Sequence, residues 1–338
     1  MPRQTIFSAT PVRIGFFAAA IAFLAIAARV QAKDALVFQA NWLIQGENAY
    51  MVAGREKGFY HDEGIELELK RGFGSGDTLK KIVTGAAVVG TADMGVVMMA
   101  IVREKLPVKC ISAEYAYSPQ GFWVLASSDV KSIKDLAGKR VGVTPGNSLL
   151  VYFPLVAKVN GLDPAKVTFV TMEASALLPT LLAGKVDAMP GFATVFALRN
   201  EEASAQGKPL RAFPFAENGL KVYGECQFVT EDTIKTKADL VQRYVRATQK
   251  SLRWANENAA ETARIMAAAY PELKEERVLV NHKAFMAHVF NETTGALGLG
   301  GFDLAQVQRT FDALKDAQKI AATPDVSTFL DTRFLAKP

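Results

Sequence analysis

From Lys33 onward the chain alternates short β-type runs with helical stretches, and this alternation limits the fold more than any other feature of the sequence. Residues 35–40 predict a first strand, 49–57 a helix ending at Gly58, and 65–70 (IELELK) a half-buried strand with strict apolar–polar alternation. A glycine-rich turn, 72–77, leads into a helix over 78–84 closed by Gly85. Strands follow at 88–94, 108–113 and 121–126, with a helix at 98–104. A new unit opens at Asp129, with strands at 140–143, 167–171 and 186–189 and helices at 147–160 and 176–183. Long helices fill the last third, at 237–258, 259–269, 275–290 and 304–317, with Pro271 between the second and third. Strands interleaved with helices in this way predict an α/β fold.

The pattern contains an internal echo. Ser75, the helix through Leu79 to Thr84, Gly85 and the Asp93 strand are matched by Ser175, the helix through Leu178 to Ala183, Gly184 and the Asp187 strand. Two halves built on one unit predict two similar lobes, with a cleft where their helix N-termini face each other.

The first residues read as a targeting segment. Arg3 and Arg13 precede an almost unbroken run of Ile, Phe, Ala and Leu over 14–28, and 30–32 (VQA) suits signal-peptide cleavage after Ala32. Residues 1–32 are therefore expected to leave a secreted, periplasmic chain with no lipid anchor. No later segment holds eighteen consecutive apolar residues, so the mature chain is expected to be soluble. The full chain has 39 Lys and Arg against 34 Asp and Glu, net +5. Three of those arginines lie in the first 32 residues, so the mature balance is +2. Without a basic stripe, nucleic acid is not an expected partner. Two cysteines, Cys110 and Cys226, lie in apolar strand-like runs. Either a disulfide or two buried thiols fits them, and no Cys/His spacing points to a metal.

Several ordered motifs resemble the periplasmic solute-binding proteins of ABC importers, in the superfamily that binds nitrate, sulfonate, taurine and thiamine-pyrimidine precursors. They are Asn41-Trp42, 53–60 (AGREKGFY), 63–67 (EGIEL), 74–78 (GSGDT), 90–95 (GTADMG), 132–141 (SIKDLAGKRV) and 184–188 (GKVDA). The resemblance implies a type II two-lobed α/β binding protein with two hinge crossings and a helical C-terminal extension. Lobe one would comprise 33–128 plus 223–338, and lobe two 129–222. It also implies a monomer that hands a small-molecule ligand to a membrane permease and its ATPase, without a cofactor.

In such folds, ligands meet the loops after strands and the starts of helices. The turn Ser75-Gly76-Asp77-Thr78 and its counterpart around Asn147 and Ser148 are expected to offer free N–H groups to a ligand. Asn41, Trp42, Asp93, Tyr115, Phe192 and Glu225 complete the expected ligand-binding set, the aromatic rings stacking on a planar molecule. Acids also stand on these loops, at Glu47, Glu114, Glu173 and Glu225. They favour a planar nitrogen-bearing ligand, like a thiamine pyrimidine precursor, over a sulfonate, nitrate or other oxyanion, which would prefer cationic and N–H donors.

No catalytic residue is assigned. His61, His282 and His288 are the three histidines, and no zinc-protease, phosphate-loop or serine-elbow motif is present. An alternative is an enzyme of thiamine pyrimidine synthesis on the same fold, which by likeness would need a reactive Lys/His pair and a cysteine-rich iron site.

Overall fold

The computed structural model describes residues 33–336 and, near the N-terminus, residues 1, 2, 4 and 5. The expected targeting segment lies outside the described residues. Among the described residues ten strands are formed: β1 Asp34–Gln39, β2 Ile65–Lys70, β3 Val89–Asp93, β4 Val108–Ala113, β5 Gln120–Leu125, β6 Arg140–Val143, β7 Thr168–Thr171, β8 Met189–Phe192, β9 Leu210–Pro214 and β10 Glu225–Thr230.

The first sheet runs β2-β1-β3-β10-β4. Its first three strands are parallel, and β10 is antiparallel to both β3 and β4. β2 keeps the predicted alternation: Ile65 and Leu67 are buried, while Glu66 and Glu68 face water. β3 lies in the middle of the sheet and is buried along its whole length, as expected of a strand covered on both faces. The helix Ser75–Val83 buries Thr78, Leu79 and Ile82 and turns Lys80 outward. It can lie this close because β3 carries Gly90, where a Cβ would fall 2.6 Å from the Thr78 methyl group.

In the second lobe β5 lies between β8 and β9, antiparallel to both, and β6 pairs with β7 in parallel. The two sheets meet at a bridge between Val141 and Ala188. The pairing changes one expected boundary. β5, which falls within the expected 33–128 portion of lobe one, belongs to the second sheet, so the first crossing lies at residues 114–119, before Gln120. The strand expected at 186–189 forms three residues later, at Met189–Phe192, which carries Phe192 on the strand itself.

The two crossings lie side by side. Glu114 N donates to Glu225 O (2.8 Å), Gly224 N to Tyr115 O (3.2 Å) and Ser118 N to Val222 O (3.0 Å). The last third is helical as predicted, with helices at Ala238–Glu257, Ala259–Ala269, Glu275–Val289, Glu292–Leu297 and Leu304–Gln318. Among the described residues no helix is long and apolar enough to cross a membrane.

Cys110 of β4 and Cys226 of β10 are joined by a disulfide, 116 residues apart in sequence. Closing so long a loop in the unfolded chain is worth about 3–5 kcal/mol on the chain-entropy account. The Cys110→Ser/Cys226→Ser double variant should therefore lose about that much stability in a urea titration. An unchanged unfolding midpoint would show that the cross-link does not contribute.

Candidate functional site

A cavity of about 720 Å³ lies between the lobes. It sits where the glycine turn before the helix Ser75–Val83 meets the turn before the helix Leu149–Val159. Gly74 has φ +122°, and a Cβ there would come within 2.6 Å of Gly146 O, so both turns approach through bare backbone. Gly76 N donates to Gly146 O across the gap (3.2 Å).

That contact overturns one expectation. The N–H groups of the first turn were expected to be free for a ligand, but Gly76 uses its own on Gly146 O, and Asp77 and Thr78 use theirs on Gly74 O (3.0 and 3.1 Å). The opposite turn is also internally satisfied. Asn147 Oδ1 accepts from Leu149 N (3.0 Å), Asn147 O from Leu150 N (3.1 Å), and Ser148 O from Val151 N (3.0 Å). Most N–H groups of these helix starts are thus used within the protein, while those of Ser75 and Ser148, both residues of the cavity wall, have no partner among the described residues.

Of the expected ligand-binding residues, Asn41, Trp42, Ser75, Asp93, Asn147, Ser148, Phe192 and Glu225 line the cavity. Gly76, Asp77, Thr78 and Tyr115 do not. Gly76 is spent on the turn-to-turn contact, and Asp77 pairs with Lys81 (2.8 Å). Thr78 is buried, with Oγ1 donating to Ala40 O (3.1 Å). Tyr115 is packed edge-on against Phe285 and His288, behind the cavity wall.

The polar end of the cavity is built on buried carboxylates. Asp93 ends β3 at the point where the Gly90 contact seats Ser75, whose Oγ donates to it (3.2 Å). From the other lobe Gln120 Nε2 also donates to Asp93, and reaches Ser148 Oγ as well (3.0 Å). Burial pushes Asp93 up to about 6 against the hydrogen bonds that favour its charged form. Glu225 stands on the neighbouring strand opposite Asp93 and accepts from Asn41 Nδ2. Burial, with Asp93, Glu114 and Glu47 nearby, holds Glu225 well above the usual carboxylate range.

Glu47 and Glu114 stand behind them, and burial raises both. Glu47 accepts from Thr194 of the other lobe and from Gln45 Nε2 (3.1 Å). Glu114 accepts from Tyr50 Oη (3.1 Å), Thr91 Oγ1 (3.2 Å) and Gln227 Nε2 (2.9 Å). The loop position of both acids was visible in the sequence, but their burial was not.

The cations on the cavity wall are engaged elsewhere. Arg199 pairs with Glu202 (3.0 Å), and Lys208 Nζ donates to Leu182 O (2.7 Å). The lining includes no histidine and no cysteine. His282 is buried against Ala255 O, and His61 is exposed on the short helix Phe59–Asp62. Among the described residues no group of three or more His, Cys, Asp or Glu is placed to hold a metal ion.

A family profile described as NMT1/THI5 like matches residues 45–262, most of the chain. The chain belongs to the NMT1/THI5-like family. It is 25% identical over 246 residues to the 4-amino-5-hydroxymethyl-2-methylpyrimidine phosphate synthase of Legionella pneumophila, covering 72% of this chain and 76% of that one. It is 26% identical over 306 residues to the riboflavin-binding protein RibY of Chloroflexus aurantiacus, covering 85% and 81%. In three dimensions it is similar to a putative periplasmic sulfonate-binding protein SsuA of a sulfonate ABC transporter from Methylobacillus flagellatus. That match has a TM-score of 0.62 at 15% identity and covers 90% of this chain and 93% of that one. At such identity the likeness establishes the fold, the two-lobed architecture of periplasmic binding proteins. The proteins this chain is similar to thus include some named for binding and one named as a synthase.

Asp93 provides a test of the electrostatics. A buried acid whose folded pKa is about 6, against an ordinary value of 3.8, takes up a proton on folding, so its contribution to stability grows as pH falls through that window and is lost as pH rises past 6. This group alone should make the unliganded protein melt about 1–2 °C higher at pH 5.5 than at pH 7.5. Asp93→Asn should reduce the slope in calorimetry, Glu225 keeping part of it, whereas an equal slope in both proteins would remove Asp93 as a cause.

Proposed function

We propose that this chain is the periplasmic substrate-binding component of an ABC importer, and that its lobes close on a planar nitrogen-containing molecule without transforming it. The observation that carries the ligand class is the buried acid end of the cavity. Asp93, Glu225 and Glu47 offer acceptor oxygens there, while most helix N–H groups nearby are used within the protein and the wall's cations are already engaged, Arg199 by Glu202 and Lys208 by Leu182 O. A sulfonate or nitrate would meet mostly acceptors, with few donors to hold it. A ring or exocyclic N–H is the natural partner of such acceptors.

The family supports the same class. RibY is named for riboflavin, and the Legionella synthase for a pyrimidine phosphate. Binding rather than catalysis is favoured by the cavity lining, where the lysine is turned onto a backbone carbonyl and no histidine or cysteine faces the ligand space. Export to the periplasm, with cleavage after Ala32, is supported by the charge and apolar pattern of the first 32 residues and by the Cys110–Cys226 bridge, which suits an oxidising compartment. The working form would be a monomer delivering its ligand to a permease and ATPase pair.

The test is a thermal-shift and calorimetric panel on the mature protein, setting nitrogen heterocycles against taurine, nitrate and alkanesulfonates. A heterocycle should raise the melting temperature and the oxyanions should not, as binding to the folded state requires; the reverse outcome would overturn the ligand class. Trp42→Ala should weaken the heterocycle about 100-fold, equivalent to roughly 3 kcal/mol of lost stacking and burial, with an unchanged circular dichroism spectrum. Undiminished affinity would remove Trp42 from the site.

A further inference from the structure

We infer that the ligand is a fused-ring heterocycle of two or three rings rather than a single pyrimidine. The inference rests on the reading above, that a planar nitrogen heterocycle fills this cavity, and it assigns a second subsite within it.

The acid end accounts for only part of the space. Another part of the wall is apolar and comes mostly from lobe two, with Trp123, Leu178, Leu182, Met189, Phe192 and Val195, and Trp42 of lobe one packs against the same cluster. Trp123 fixes the shape of this half. Its indole lies directly on Gly191 of the neighbouring strand, where a Cβ would fall 2.1 Å from the ring, and Phe196 closes its edge at 5.4 Å between centroids. Glycine at 191 thus lets the ring lie flat as a wall, and any larger residue would push it into the cavity. Trp42 joins the same apolar cluster from the opposite lobe, so the half-cavity becomes complete when the lobes are together.

A single substituted pyrimidine held at Asp93 and Glu225 would leave this apolar half to water. A total of about 720 Å³ matches the 300–1,000 Å³ of sites that enclose drug-sized ligands. The geometry demands a rigid, flat molecule with N–H groups on one ring and apolar ring surface on the next. A flexible chain would suit the branched aliphatic side chains but not the aromatic faces of Trp42 and Trp123.

The experiment compares 4-amino-5-hydroxymethyl-2-methylpyrimidine (one ring), lumichrome and riboflavin (three fused rings) and the sulfonate taurine, by isothermal titration of the mature protein. A fused-ring compound should bind at least about 100-fold more tightly than the single ring. Val195→Trp, which fills the apolar half from the helix Ala193–Ser204, should abolish this advantage by weakening the fused-ring ligand at least tenfold while leaving the single ring within about twofold. Leu178→Phe, with a smaller added volume, should give the same pattern at lower amplitude if Val195→Trp does not fold. Tighter binding of the single ring, or equal weakening of both heterocycles by the variants, would overturn this inference while leaving the proposed function in place. Binding of taurine alone, or of none of the four compounds, would overturn both.

Discussion

Asp93 organises the cleft because its hydrogen bonds come from both lobes. Ser75 reaches it from the first lobe, and Gln120, itself tied to Ser148, reaches it from the second. A carboxylate buried without a cation is costly unless donors surround it. Here part of the shell forms only when the lobes are together, so closure and the comfort of this one side chain are linked. The supports lie far back in the fold. Gly90 brings the first helix down onto β3 and so seats Ser75, and the central place of β3 keeps water from Asp93 along the sheet.

The same economy explains why the site favours acceptors. In many anion sites, unused N–H groups at helix starts are the donors. Here the two helix starts spend most of them on each other and on their own turns, through glycines that let backbone meet backbone. What remains facing the ligand is a set of carboxylates, with burial holding Glu225 and Asp93 toward their protonated forms. A protonated Glu225 can donate as well as accept, so beside the acceptor oxygens of Asp93 it can match the mixed donor and acceptor edge of a nitrogen ring.

Much of this was legible in the sequence. The strand–helix alternation gave the α/β fold, the two-period pattern of Ile65 to Lys70 gave β2, and the loops after strands gave eight of the residues that line the cavity. What was hidden depended on distant contacts. After Gln120, β5 is apolar and buried at nearly every position, so nothing in its pattern says which sheet it joins. The capping of the Ser75 turn comes from Gly146, seventy positions away, and local propensity cannot report it. Trp123 reads as ordinary core in a strand, and only its contact with Gly191 shows that it forms a wall. The internal echo was real as a pattern of elements but not of roles: Asp93 lies buried in the cleft, whereas its counterpart Asp187 pairs with Arg140 at the surface (3.0 Å).

The Cys110–Cys226 bridge has a mechanical consequence. Cys110 lies in the strand that leads into the first crossing, and Cys226 lies just after the second. The bridge fastens the lobe-one roots of both crossings to each other, and the hydrogen bonds from Glu114 and Gly224 continue that pairing toward lobe two. The two strands are thus a single ribbon clamped at one end. Such a ribbon can bend and twist, but its edges cannot slip past each other. Any movement of one lobe against the other has to pass through this clamped pair of strands at residues 114–119 and 220–224, which favours bending over sliding.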